Sequence, residues 1–235
     1  MYRSLKSDRI LITIDELRDR IVADFPQSSL AKVCGELSDI ASEAGKRCEW
    51  ISQPRWALRL ATAVIIAGIV GALDMAIVSF DLPNKPFALS EFVQLLEAGS
   101  NILVLVGAAI LFLITIEKRV KRERALRSIH ELRAIAHVID MHQLTKDPAL
   151  VRGGIIATQH EGKPKLNAQE MTRYLDFCSE MLSLVGKMAA LYVQNFDDAI
   201  ALTAVNEVEN LTTGLSRKIW QKIMIIHSFG DRAYK

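Results

Sequence analysis

The chain has 235 residues, 50% of them hydrophobic, and its 29 Lys and Arg nearly balance its 27 Asp and Glu, for a formal net charge of +2. That balance excludes a general bias toward nucleic acid or acidic ligands. The length would suit one large soluble domain, but the apolar residues are gathered into two long runs, which argues against it.

The first segment reads as two helices. Thr13-Ile-Asp-Glu16 has the form of a capping box, in which the Thr hydroxyl and the Glu carboxylate each satisfy a free backbone N–H. Ile14, Leu17, Ile21 and Val22 follow at helical spacing, and Pro26 ends the helix. Ser28 or Ser29 can cap the next helix, which carries Leu30, Val33, Leu37, Ile40 and Ala44 on one face and runs to about Ile51. No apolar core of a signal peptide lies in the first thirty residues, so insertion is expected to be directed by the first apolar run itself, without a cleaved leader.

From Ala57 to Phe80 the chain reads ALRLATAVIIAGIVGALDMAIVSF, with only Arg59 and Asp74 charged; from Gly99 to Ile116 it reads GSNILVLVGAAILFLITI, with no charge. A membrane-crossing helix needs about 20 mostly apolar residues. At about 1.5 Å per residue the first run is roughly 36 Å long, enough for a hydrocarbon core of about 30 Å with some tilt. The expected architecture is an all-α integral membrane protein. A two-span transmembrane hairpin (residues 56–117, spans 57–80 and 99–116, outer loop 81–98) joins N-terminal cytoplasmic helices (1–55) to a C-terminal cytoplasmic helical domain (118–235), and the two cytoplasmic segments form one bundle.

The flanks set the orientation. Lys46, Arg47, Arg55 and Arg59 precede or open the first span, and Lys118, Arg119, Lys121, Arg122, Arg124 and Arg127 follow the second, whereas the loop has Asp81, Glu91 and Glu97 against Lys85. Basic residues stay on the cytoplasmic side, so both termini are expected in the cytoplasm of a multi-pass protein of the inner (plasma) membrane. Lys118, Arg119, Lys121 and Arg122 would then meet anionic headgroups. Trp50 and Trp56 sit where an inner aromatic belt would lie, and Phe80 and Phe87 where an outer one would.

Asp74 lies six residues, about 9 Å, inside the outer end of the first span. A carboxylate there either serves as an ion or proton site or reaches the interface or Ser100 and Asn101 of the second span. Gly68, Ala72 and Ala76 recur at steps of four with Gly71 beside them, a small-residue face that lets two helix backbones approach closely. Its partner is either the second span, through Gly107-Ala108-Ala109, or another subunit.

A long helix is predicted from Glu117 to Leu144, continuous with the second span. On it His130, Arg133, His137 and Asp140 fall within about 80° of one another at 100° per residue. Leu132, Ile135, Ala136, Val138 and Ile139 occupy the other faces, so the stripe is expected to be buried as a polar lock between helices, with a pH sensor or a ligand site as the alternatives. Histidines two turns apart are too distant to chelate one ion as a pair, and no metal or cofactor is expected. Pro148, Gly153-Gly154, Gly162 and Pro164 make residues 145–166 a loop, and Asn167-Ala-Gln-Glu170 is a second capping box opening a helix to about Gln194. In the last helix, Asp197 to His227, Val205, Val208, Leu211, Leu215, Ile219 and Ile226 form a coiled-coil-like seam. Cys34, Cys48 and Cys178 are odd in number, have no metal-pair spacing and read as free reduced thiols.

The resulting function is that of a non-enzymatic homo-oligomeric membrane protein, either a pore or channel or a membrane-anchored sensor or scaffold. Two spans cannot enclose an aqueous path alone, so a pore requires the oligomer. A different class is represented by Arg124-Ala-Leu-Arg-Ser-Ile-His130, which resembles the Arg-x4-6-His pattern of HEPN-type ribonucleases. The resemblance covers seven residues, lacks the polar residue that usually follows the Arg, and implies a membrane-tethered ribonuclease using Arg124 and His130 at an open cleft. The nature of a ligand or permeating species and the stoichiometry are not encoded in any motif.

Overall fold

A computed structural model describes residues 4–78, 89–148 and 166–233; of the side chains at 73, 76–77, 89–92, 95 and 229–233 nothing is described. Among these residues the chain is entirely helical. Six helices follow in order: α1 (Ser7–Asp24), α2 (Ser29–Ser52), α3 (Trp56–Val78), α4 (Leu89–Leu144), α5 (Ala168–Val193) and α6 (Ala199–Ala233). They divide into two compact units, one of Met1–Ser52 with Arg124–Lys235 and one of Gln53–Glu123. The division falls inside α4.

In the first unit α1 lies along α2, α6 lies along α5, and both α1 and α2 pack on α5. Each helix contributes one apolar stripe. Ile10, Ile14, Leu17 and Ile21 of α1 recur at steps of four, three and four and are all buried. Leu30, Val33, Leu37, Ala41 and Ala44 do the same on α2, with Ile40 half-buried. From α4 the buried residues are Ala125, Ile129, Leu132, Ile135, Ala136 and Ile139, and α5, buried on most sides, is the central helix. Fully burying one such large aliphatic side chain is worth about 1.5–3 kcal/mol, so this core is what holds the unit together.

The helix ends are set by local chemistry. Ser28 Oγ accepts from the Ala31 amide at 3.1 Å and so caps α2. Asn167 and Glu170 form the capping box of α5, with both reciprocal bonds at 2.8 Å. Asp198 caps α6 by accepting from the amides of Ile200 and Ala201. The first helix differs from the sequence expectation. It begins at Ser7, so Thr13 lies within it and its hydroxyl bonds the Arg9 carbonyl four residues back. The motif Thr13–Glu16 is thus mid-helix, because Ile10 already belongs to the buried stripe and its burial extends the helix toward the N-terminus.

The seam on α6 is used inside the chain. Val205, Val208, Leu215, Ile219 and Ile226 are buried, Leu211 is half-buried, and α5 is the helix they pack along. Gly186 of α5 permits the approach, since a Cβ there would stand 3.3 Å from Thr212 Oγ1 of α6.

The second unit has the opposite character. Its helix α3 and the 99–116 part of α4 are long and apolar enough to cross a membrane. Leu60, Val64, Val70, Leu103, Leu105, Leu111 and Phe112 are all exposed. Every buried apolar residue among those described belongs to the first unit. The outer loop expected at 81–98 lies outside the described residues as far as position 88; from Leu89 the chain is already helical. Most of the loop expected at 145–166, residues 149–165, also lies outside them.

Candidate functional site

The stripe singled out on α4 is on the surface. Its side chains follow the helical period, but the buried line on α4 runs through Ala125, Ile129, Leu132, Ala136, Ile139 and Gln143, and the stripe points away from it. His130, Arg133 and His137 are exposed and Asp140 is half-buried. The four do not bond one another. Arg133 reaches Glu207 of α6 at 3.2 Å, and Asp140 accepts from Gln143 Nε2 at 2.6 Å. The expected burial of this stripe, and with it the lock, is therefore absent within the chain. The stripe is an open face with two imidazoles and a guanidinium available to solvent.

The polar junction that does tie helices together lies one turn away and centres on Arg47 of α2. Its guanidinium is half-buried and donates to Glu131 of α4 through a short bond, to Ser128 Oγ at 3.3 Å and to Glu43 of its own helix at 2.6 Å. The carboxylate of Glu131 raises the guanidinium above its ordinary pKa, so the charge is permanent. Ser128 also donates to the Arg124 carbonyl at 3.3 Å. Close by, the Tyr192 hydroxyl of α5 is buried with Ser128 and Arg47 as its polar neighbours, and burial pushes its pKa up against their opposing pull. This junction was not read from the sequence, where Arg47 counts only as a flanking cation. The Glu43–Arg47 spacing of four was the available signal.

A second junction closes the C-terminal end of α4. Lys222 of α6 donates from Nζ to the carbonyls of Gln143 and Lys146, at 2.7 and 3.2 Å, where the helix carries unsatisfied acceptors and partial negative charge. Burial lowers the Lys222 pKa, the Asp147 and Asp140 charges opposing it. Ser29 Oγ lies 3.2 Å from His142 Nδ1 across the α2–α4 boundary.

In the second unit Glu117 gathers three donors: Arg59 Nε at 2.8 Å, Lys121 Nζ at 2.9 Å and the Arg55 amide at 3.3 Å. The start of α3 thereby stands beside the middle of α4. Asp74 is exposed, and neither Ser100 nor Asn101 is bonded to it among the described residues; Ser100 bonds its own helix at the Glu97 carbonyl. A Cβ built at Gly68, Gly71 or Gly107 would meet nothing within 4 Å. Ala72 is exposed as well, and the side chain of Ala76 lies outside the described set. The small-residue face thus has no close neighbour at these glycines among the described residues.

For the nucleolytic pair, Arg124 stacks on the Trp50 ring with 3.9 Å between the guanidinium carbon and the ring centroid. His130, six residues on, lies about 120° round the helix from it. Among the described residues no three His, Cys, Asp or Glu side chains are grouped to hold a metal. Cys34 and Cys178 are buried and Cys48 is half-buried; desolvation pushes the thiols of Cys34 and Cys48 up to about 11 and that of Cys178 up to about 12, so all three are inert thiols. Compared with family models, with curated proteins and with solved structures, the chain matches none.

Proposed function

We propose that the chain is a membrane-anchored, non-enzymatic homo-oligomer whose α3–α4 hairpin crosses the inner membrane twice and whose first unit works in the cytoplasm as a scaffold or sensor. The single observation that carries the anchor is the uncovered apolar surface of α3 and of α4 between 99 and 116. Lipid is the solvent that such a surface requires, because helices satisfy their backbone internally and leave only side chains to be solvated. The Arg59–Glu117 contact supports the hairpin.

A scaffold or sensor fits better than a pore. An aqueous path needs a polar face along the spans, and from Gly99 to Ile116 the polar side chains are only Ser100, Asn101 and Thr115. Both hydroxyls, of Ser100 and Thr115, are bonded to carbonyls of their own helix. The open His130, Arg133 and His137 face is the surface on which the bundle would meet a signal or a partner. Assembly is ascribed to the Gly68, Gly71, Ala72 and Ala76 face, which in this reading meets another copy.

The test is extraction followed by labelling. The protein should stay in the membrane fraction at alkaline pH, and a cysteine placed at Asn84 should react with an impermeant maleimide from outside intact cells while one placed at the exposed position His137 does not. Release into the soluble fraction would overturn the anchor, and labelling of His137→Cys but not of Asn84→Cys would reverse the orientation.

A further inference from the structure

The C-terminal half of α6 has an outward face that the bundle does not use. Trp220 is 56% exposed, Met224 63% and Ile225 44%. They form a shallow groove with Arg217 and Gln221. Trp220 and Met224 stand about 40° apart on the helix, and Lys222, about 200° from Trp220, points the other way toward the end of α4. The buried seam of Ile219, Ile223 and Ile226 holds α6 against the bundle, so this face is rigidly presented rather than a frayed end.

Charge decides what this face meets. From Asn210 to Gly230 the sequence contains no acidic residue, while Arg217, about 60° round the helix from Trp220, and Lys218, about 20° from Ile225, edge this face, both exposed and without an ionic partner among the described residues. Asp231 follows beyond that stretch on α6, and from other segments the charges of Asp140 and Asp147 act on Lys222 while His227 acts on Asp176. An exposed Trp with long apolar neighbours and a basic rim is the composition of a helix that lies in the boundary between headgroups and acyl chains. The indole places its ring in the apolar layer with its N–H toward water, and the cations meet phosphate. Another copy of this chain would offer Trp220 a partner of the same positive sign at this face, which charge repulsion opposes.

We propose that the Trp220, Met224 and Ile225 face of α6 docks on an anionic lipid surface, held by Arg217 and Lys218. This rests on the proposed residence of the chain in a membrane. The test uses the whole protein in nanodiscs, spin-labelled at Met224→Cys in a Cys48→Ala background. With phosphatidylglycerol in the disc, collision of the label with oxygen should rise several-fold relative to collision with a water-soluble nickel chelate. In discs of phosphatidylcholine alone, or with Arg217→Glu and Lys218→Glu together, the label should return to water.

A label equally open to water in both lipids, in protein that incorporates normally, overturns the docking and leaves the anchor standing. Equal immersion in both lipids overturns the role of the two cations. Immobilisation that appears in detergent and grows with protein concentration assigns the face to a second copy. Failure to enter discs at all overturns both the anchor and this inference.

Discussion

Arg47 shows how much one half-buried side chain can organise. It joins α2 to α4 through Glu131 and Ser128, and its removal would leave the Glu131 carboxylate without its cation beside the buried Tyr192 hydroxyl. Arg47→Ala should therefore cost about 1–2 kcal/mol, read as a fall in Tm in mild detergent. His137→Ala, at an exposed position bonded to none of the other three stripe residues, should change stability by less than about 0.5 kcal/mol. A large fall from the histidine and none from the arginine would reverse this assignment. The thiols give a second check at this scale. With pKa values pushed up to about 11 and 12, Cys34, Cys48 and Cys178 carry little thiolate near neutral pH. Native protein should take up maleimide slowly at all three sites and react fully only after denaturation, with mass spectrometry counting the adducts.

At the scale of the helix, the close approach of α5 and α6 depends on Gly186. Adding a Cβ with two methyl groups there, as in Gly186→Val, should cost about 1–3 kcal/mol, because Thr212 Oγ1 already stands 3.3 Å from the position of that Cβ. Asp198→Ala should cost about 1 kcal/mol through the lost cap of α6. Both read out as Tm shifts, and a neutral Gly186→Val would show that the helices can separate locally at no cost. These elements also mark what was legible beforehand. The Ser28 cap, the Asn167–Glu170 box and the α6 seam were visible because capping and periodicity are local in the chain. The N-terminal limit of α1 and the exposure of His130 and His137 were not, because both depend on which side the bundle takes. A helical wheel fixes the angle between Ile129 and His130 but carries no information on which of them meets α5 and α2. For the same reason the Arg47–Glu131 pair, separated by more than eighty positions in sequence, had no signature beyond Arg47 having an acid one turn before it.

For the molecule as a whole, the first unit buries its apolar residues within the chain and the second leaves those described exposed, so their responses to substitution should separate. Gly71→Leu places a large side chain where none of the described residues stands within 4 Å of its Cβ, so the folded bundle has no reason to lose stability. If Gly71 meets another copy, as proposed, the same change should lower the oligomer mass in mild detergent while the Tm of the bundle stays within about 1 °C of the parent, as expected when ΔΔG is close to zero. An unchanged mass would remove this face from the assembly. A monomeric parent at micromolar concentration would remove the assembly itself.

The bonds at the two ends flanking residues 149–165 have a further consequence. Lys222 bonds the Gln143 carbonyl at the end of α4 and the Lys146 carbonyl just after it, and the Asn167–Glu170 box closes the start of α5, so both ends are held by bonds from residues outside 149–165. A covalent link between two ends so held raises their effective concentration. Fragments 1–148 and 166–235, produced together from separate reading frames, should find each other and rebuild the bundle. Co-purification through a tag on one fragment would show it, and recovery of the tagged fragment alone would mean that the covalent connection is required.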